Sequence, residues 1–174
     1  MIKINQLKEI IETRGNYDNI QQGIIFCFGT SFVSQLIRAK TRQSPNEIVP
    51  SHVALYYQGF IYESTTEKVD VNGKRIPSGV RRWQLKDYYK AERKKDTGYV
   101  IFPCKINNKI MEQYVHYPYG KDIIVDFFFT DGSDGESDGL ICSQYANLVT
   151  RICNKKVPTP ADMYRTYKKL IGRN

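Results

Sequence analysis

Short apolar runs separated by turn residues are the dominant pattern of this chain. Gly23–Phe28 is a continuous apolar run, which is typical of a buried strand. His52–Tyr57 and Phe60–Thr65 flank Gln58-Gly59, so they predict a hairpin with a two-residue turn. Strands joined by tight turns pair antiparallel, so we expect a central antiparallel sheet. Further strands are predicted at Gly79–Leu85 and Gly98–Pro103.

Helical periodicity occupies the segments around these strands. Gly29-Thr30-Ser31 offers a hydroxyl cap to one helix, and Thr159-Pro160 begins the last helix with a hydroxyl cap and an N-terminal proline. No repeat and no linker divides the chain, so we predict one α+β domain over residues 1–174. The predicted helices cover 2–13, 32–38, 87–95, 106–115, 142–153 and the segment after Thr159, while 123–129 fits a helix or a strand.

A cysteine stands at the start of the 142–153 helix. The apolar positions of that helix form one stripe: Cys142, Tyr145, Ala146, Val149, Ile152 and Cys153. Cys142 is therefore either a core residue or a thiol in the first turn of a helix that packs on the sheet. In the second interpretation, free backbone N–H groups stabilise the thiolate and offer a donor to an oxyanion. Cys153 lies far from the helix start and lacks this help.

The predicted hairpin brings a histidine and a carboxylate together. With Gln58-Gly59 as the turn, His52 pairs with Thr65, and Glu63 becomes its diagonal neighbour on the same face, about 5 to 8 Å away. A carboxylate at that place can orient one ring nitrogen while the other addresses a nucleophile. Cys142, His52 and Glu63 are the candidate catalytic residues. Taken singly, each also fits an ordinary role as a core cysteine, a half-buried histidine or a solvated carboxylate.

Metal binding is a weaker interpretation of the same residues. An acidic loop at 130–139 matches the first positions of a calcium loop, but Tyr145 stands where the final glutamate is needed. A zinc site would lack any close-spaced ligand pair. We therefore predict no metal and no cofactor, and we expect His116 at the surface or at a helix end. The zinc ligands would be His52, Glu63, Cys142 and His116.

The cysteines and the net charge indicate the cellular compartment of the protein and the kind of partner it would bind. The four cysteines form no C-x-x-C pair, and we see neither a signal peptide nor a transmembrane segment, so we expect a cytoplasmic protein with reduced thiols. Cys27 and Cys104 lie in apolar runs and are predicted to be small core residues. A formal charge of +8 favours an anionic surface, such as cell wall or membrane headgroups, or simply keeps the protein soluble. No nucleic-acid motif accompanies the charge.

Six segments in a fixed order resemble the permuted NlpC/P60 enzymes, over about residues 23–165. The pattern is most similar to the YiiX/YebB-like branch, which also resembles a poxvirus protein family and, more distantly, lecithin:retinol acyltransferase. Two positions depart from the family pattern, because Ile24 replaces an aspartate and Gln144 replaces a glutamate. The segments are Gly23-Ile24-Ile25-Phe26, Ser31–Ile37, Ser51-His52-Val53-Ala54-Leu55, Ile61-Tyr62-Glu63-Ser64, Gly79-Val80 and Cys142-Ser143-Gln144.

The resemblance implies a papain-like, circularly permuted fold with the Cys helix in the C-terminal part and a triad of Cys142, His52 and Glu63. It implies a thiol hydrolase or acyl-transfer enzyme, of the cysteine peptidase or amidase type, that acts on an amide or ester bond. The substrate would be a cell-wall peptide or a lipid-linked acyl group. The alternative is a non-catalytic binding module that uses a basic, tyrosine-rich surface to hold an anionic partner.

Overall fold

The computed structural model describes residues 1, 3, 21–66, 68–69, 73, 75–92, 97–123 and 138–172. The predicted helix at 2–13, most of the ambiguous segment at 123–129 and most of the acidic loop at 130–139 lie outside these ranges. The described elements, in chain order, are β1 (Gln22–Phe28), α1 (Phe32–Thr41), β2 (His52–Tyr57), β3 (Phe60–Thr65), β4 (Lys68–Val69), β5 (Arg75–Ile76), β6 (Gly79–Gln84), α2 (Leu85–Glu92), β7 (Gly98–Pro103), α3 (Asn108–Gln113), α4 (Cys142–Thr150) and α5 (Pro160–Ile171).

The centre of the molecule is a five-stranded antiparallel sheet with the strand order β6-β3-β2-β1-β7. The strands β4 and β5 form a separate two-stranded ribbon. This arrangement confirms the predicted α+β class and the central antiparallel sheet. The strand that carries His52 is the middle one, so its backbone is held by a neighbour on each side.

The β2–β3 hairpin has the predicted bounds and the predicted turn. Gln58 has φ 46° and Gly59 has φ 86°. Positive φ at both central residues is what a two-residue turn of the type I′ kind requires, and it matches the twist of the flanking strands. The register pairs Leu55 with Tyr62 and continues through Tyr57, which pairs with Phe60. The parity on which the candidate site depends is therefore fixed by the turn.

Alternation along the strands divides the core between the two faces of the sheet. Val53, Leu55 and Tyr62 pack together with Cys142, Tyr145, Ala146 and Val149 of α4. The opposite face buries a second cluster, which includes Cys27, Ala54, Tyr56, Ile61, Leu85 and Tyr88. Helix α4 thus covers one face of β2 and β3, as its apolar stripe predicted, while α2 covers the other.

The C-terminal bound predicted for the Cys helix is wrong. The helix ends at Thr150, and Arg151 adopts a left-handed conformation with φ 52°. The side chain of Asn147 then captures the departing backbone, because its Nδ2 donates to the carbonyl of Cys153 at 2.8 Å and its Oδ1 accepts from the Cys153 N–H at 2.8 Å. An asparagine side chain that satisfies backbone groups in this way competes with further helical turns. Ile152 and Cys153 are buried or half-buried, but they do not belong to the helix.

The other helices differ from prediction mainly at their ends. Helix α1 is capped by Ser31, as predicted, and runs on to Thr41. Helix α5 has the predicted Thr159 cap and Pro160 at its first position. Helix α2 begins at Leu85, two residues before the predicted start at 87. The strand predicted for 79–85 therefore ends one residue sooner, at Gln84. Helix α3 covers only 108–113 of the predicted 106–115. None of the described helices is long and apolar enough to cross a bilayer.

Candidate active site

His52 is the first residue of β2, and the residue before it fixes the start of the strand. The Ser51 N–H donates to the Cys27 carbonyl at 3.0 Å, and its hydroxyl accepts from the Gly29 N–H at 3.2 Å. These bonds tie the start of β2 to the end of β1, where Cys27 lies opposite His52 in the register. The imidazole therefore projects from a backbone that is held on the β1 side.

Glu63 lies where the hairpin parity predicted it. Its Oε2 is 2.7 Å from Nε2 of His52, and the Glu63 side chain is fully buried while that of His52 is 25% exposed. A buried carboxylate needs a partner that offers both charge and a hydrogen bond, and the imidazole supplies both. Because Nε2 is occupied by Glu63, Nδ1 is the ring nitrogen available to a nucleophile.

Cys142 is the first residue of α4, in the first turn as predicted. Ile141 occupies the N-cap position and its side chain has no hydrogen-bonding atom, so the cap comes from the third helical residue. Oε1 of Gln144 accepts from the Ile141 N–H at 3.1 Å. A glutamine oxygen accepts this bond as a glutamate would, so the capping interaction does not require a glutamate at position 144.

Cys142 and His52 meet at the end of the sheet. Helix α4 packs on the face that contains Val53 and Leu55, whereas strand alternation assigns His52 to the opposite face, with Ala54. Because His52 is the first residue of its strand, its ring can reach the sulfur past the strand end. Both side chains line the same cavity and are close enough for each to shift the pKa of the other, and the Val53 N–H also contributes to the shift at Cys142.

The electrostatics of the pair favour proton transfer from the Cys142 thiol to the His52 imidazole. Burial alone would raise the pKa of Cys142, but the charge and hydrogen bond of His52 and the Val53 N–H outweigh burial and lower that pKa. Burial alone would lower the pKa of His52, but the neighbouring Cys142 and Glu63 raise it to about 10. Both shifts have the directions expected for a thiolate and imidazolium pair at neutral pH.

Tyr119 is a member of this site that the sequence did not reveal. The segment before α4 packs closely on it, because a Cβ atom on Gly139 would lie 2.4 Å from the carbonyl carbon of Tyr119. The Leu140 N–H donates to the Pro118 carbonyl at 2.9 Å, and Ser64 Oγ donates to the Leu140 carbonyl. Burial, followed by the charges of Cys142 and Glu63, raises the pKa of Tyr119, so its phenol stays protonated.

A cavity of about 650 Å³ opens directly onto Cys142 and His52. Its wall is formed largely by residues at the starts of three helices, which are α1, α4 and α5. Loops and helix starts of this kind give no periodic signal, so the cavity was not predicted. In addition to Cys142 and His52, the residues that line the cavity include Ser31, Val33, Ser34, Ile37, Tyr119, Ser143, Thr159 and Pro160.

His116, the fourth residue of the alternative zinc set, lies at the surface beside Arg81. His116 lies exposed after α3, with φ 74°, and its Nδ1 is 3.3 Å from an Arg81 guanidinium nitrogen. The zinc set that included His116 is therefore not brought together. In the part of the chain that the structure describes, no group of three or more His, Cys, Asp or Glu is placed to hold a metal. The calcium-like loop falls mostly outside that part.

The other two predicted core thiols, Cys27 and Cys104, differ in burial. Cys27 is 4% exposed in the second core cluster and also borders the cavity. Cys104 is half-buried against the first cluster, and burial raises its pKa to about 12. Only the first of these two cysteines is a fully buried core residue.

Comparison with known proteins returned no match to a family model, to a curated protein or to a solved structure.

Proposed function

We propose that this chain is a thiol hydrolase or acyl-transfer enzyme of the papain-like, circularly permuted NlpC/P60 kind, acting on an amide or ester. One observation carries the proposal: Cys142, at the start of α4, lines a cavity together with a histidine whose Nε2 lies 2.7 Å from the buried Glu63, and the charge of that histidine lowers the pKa of Cys142. The chain order of histidine, glutamate and then cysteine supports the permuted arrangement. So does the position of the Cys helix after the central sheet.

In the first half of the reaction, Sγ of Cys142 attacks the carbonyl carbon and the carbonyl π electrons move to oxygen. The oxyanion is held by the Cys142 N–H at the start of α4 and by the protonated phenol of Tyr119. Collapse restores the carbonyl and expels an amine or alcohol, which takes the proton from His52. The product of this half is an acyl thioester on Cys142.

In the second half, His52 accepts a proton from water as the oxygen attacks the thioester carbon. Collapse of the tetrahedral intermediate expels the thiolate and releases the carboxylic acid, and the thiolate and imidazolium pair is restored. An alcohol or amine in place of water gives acyl transfer by the same steps. Glu63 stays ionised throughout and holds the imidazole in place.

Trapping the acyl-enzyme tests this proposal. The intact protein is mixed with a short p-nitrophenyl ester, quenched in acid and mapped by mass spectrometry. We expect an acyl adduct on Cys142 and a burst of nitrophenol, both lost in Cys142→Ala and retained in the matched variant Cys153→Ala. An adduct on another cysteine, or none, would contradict the proposal.

The rival function, a binding module with a basic surface, predicts a different result in the same experiment. Such a module has no need of a poised thiolate, so its cysteines would be acylated slowly and without preference. The lowered pKa of Cys142 and the cavity that opens onto it favour the enzyme.

A further inference from the structure

Helix α1 exposes apolar side chains beside the candidate active site. Phe32 is 75% exposed, Val33 54% and Leu36 40%. Leu36 lies four residues after Phe32 and three after Val33, and residues at these spacings are neighbours on a helix surface, so these three form one patch. Soluble domains rarely place a phenylalanine, a valine and a leucine together in water without a partner. We call these residues the α1 patch.

The α1 patch is continuous with the cavity wall. Val33 belongs to both, and Ile37, one turn beyond, also lines the cavity. A surface that covers Phe32 and Leu36 would therefore lie beside the opening that leads to Cys142. An apolar group could pass from that surface into the cavity along the side chains of α1.

The charged residues of α1 and of the short segment that directly follows it, up to Asn46, are all cationic. From Phe32 to Asn46 the charged residues are Arg38, Lys40 and Arg42. The next acidic residue, Glu47, is engaged by Arg165, with Oε1 2.7 Å from Nε. Lys40 lies four residues after Leu36, on the same side of α1 as the patch, and the exposed Arg42 follows at the helix end, whereas Arg38 lies on the side of the buried Thr41. Apolar side chains beside cations are the pattern of a helix that lies in the headgroup region of an anionic membrane.

We propose that the α1 patch and its basic residues form a docking surface for a lipid bilayer with anionic headgroups, which places the cavity opening against the membrane. An acidic polymer would account for the cations but not for exposed Phe32 and Leu36. The bilayer accounts for both.

Co-sedimentation with vesicles tests the docking surface without relying on the chemistry. The full chain carrying Cys142→Ala is mixed with phosphatidylcholine vesicles that do or do not contain phosphatidylserine. We expect binding that depends on phosphatidylserine, and a loss of about tenfold or more with Phe32→Ser/Leu36→Ser. Leu148→Ser is the matched control, because Leu148 is also a helix residue that is 40% exposed. It should bind as the parent does.

A second pair of variants tests whether the basic residues beside the patch contribute to vesicle binding. Lys40→Glu/Arg42→Glu should lose about tenfold in binding to vesicles with phosphatidylserine, while Lys105→Glu/Lys109→Glu makes the same change in net charge and should have a small effect. Equal loss in both pairs would mean that net charge alone acts, and would overturn the docking surface.

Three further outcomes overturn the proposal. The first is unchanged vesicle binding by the Phe32→Ser/Leu36→Ser variant, and the second is equal binding to vesicles with and without phosphatidylserine. The third is a protein that does not bind vesicles at all but forms a dimer, which the Phe32→Ser/Leu36→Ser variant dissociates. The last would assign the face to a second copy of the chain. Vesicle binding without acylation of Cys142 would instead contradict the proposed chemistry alone, so the two failures are distinguishable.

Discussion

Helix α4 has Cys142 as its first residue, and Cys153 follows three residues after its last. Both side chains are buried, at 7% and 9% exposed. Cys142 receives the Val53 N–H and an imidazole at the positive end of the helix dipole. Cys153 follows the helix C-terminus, and its sulfur lies 4.0 Å from the hydroxyl of Thr166. The comparison teaches that burial alone does not separate a structural thiol from a candidate nucleophile; the neighbouring cation and N–H donors do.

Removing each sulfur gives the largest expected difference. Cys142→Ala should lower kcat/KM by about 10⁴-fold or more, because it removes the atom that forms the thioester. Cys153→Ala should keep the activity and lower the free energy of unfolding by about 1 kcal/mol through lost packing. Ester turnover and denaturant melts measure the two effects. Similar activity in the two variants would remove the distinction between the two ends of α4.

Replacing Glu63, the carboxylate that holds His52, should have the second-largest effect on the rate. Glu63→Gln keeps an acceptor for Nε2 but removes the charge that stabilises the imidazolium, so we expect a loss of about 10²-fold in kcat. Glu112→Gln is the control, because Glu112 accepts from the Tyr62 hydroxyl at 2.5 Å, away from the thiol. The control should stay within about threefold of the wild-type rate. Equal losses would show that the effect of Glu63 is structural only.

The pH profile should report the ion pair. Below the lowered pKa of Cys142 the thiolate takes up a proton, and above about 10 the imidazolium of His52 loses one, so kcat/KM should be flat between these limits and fall on both sides. In His52→Ala the cation that lowers the pKa of Cys142 is absent. The acid limb of Cys142 alkylation should therefore move to higher pH, and an unmoved limb would contradict the pairing.

The side chains that hold the two helix ends should have the smallest effect on chemistry. Gln144→Ala removes the acceptor for the Ile141 N–H, so we expect a loss of about 1 kcal/mol in stability and a slower thiol reaction at Cys142. Asn147→Ala removes bonds to the backbone of Cys153 and should cost about 1 to 3 kcal/mol in stability. Its Cys142 reactivity should be unchanged. The reverse pattern would mean that Asn147, rather than Gln144, supports the thiol.

The local sequence pattern was sufficient to predict the part of the site that depends on the alternation of side chains in the β2–β3 hairpin. Gln58-Gly59 specifies a two-residue turn, and the turn places Glu63 on His52 without any knowledge of the rest of the fold. The start of α4 was also predictable from the sequence, because the apolar stripe begins there. Its end was not, since the capture of the Cys153 backbone by Asn147 competes with a periodicity that continues to Cys153.

Tyr119 and the cavity depend on long-range packing that no local pattern encodes. Tyr119 lines the cavity together with Cys142, and the absence of a side chain at Gly139 allows the segment before α4 to lie against the Tyr119 backbone. The cavity exists because the starts of α1, α4 and α5 converge, and the start of α1 is separated from the other two by more than a hundred residues of chain. Such contacts follow from the tertiary fold, so the sequence predicted the triad but not the surface that would receive a substrate.

Site-resolved alkylation at mildly acidic pH tests the central claim most directly. The folded protein is treated with a limiting amount of iodoacetamide, and the modified fraction of each cysteine is followed by mass spectrometry. We predict that Cys142 reacts first by a wide margin, because the charge of His52 lowers its pKa and lets its thiolate persist at mildly acidic pH. Comparable rates at Cys142 and Cys153 would contradict the account.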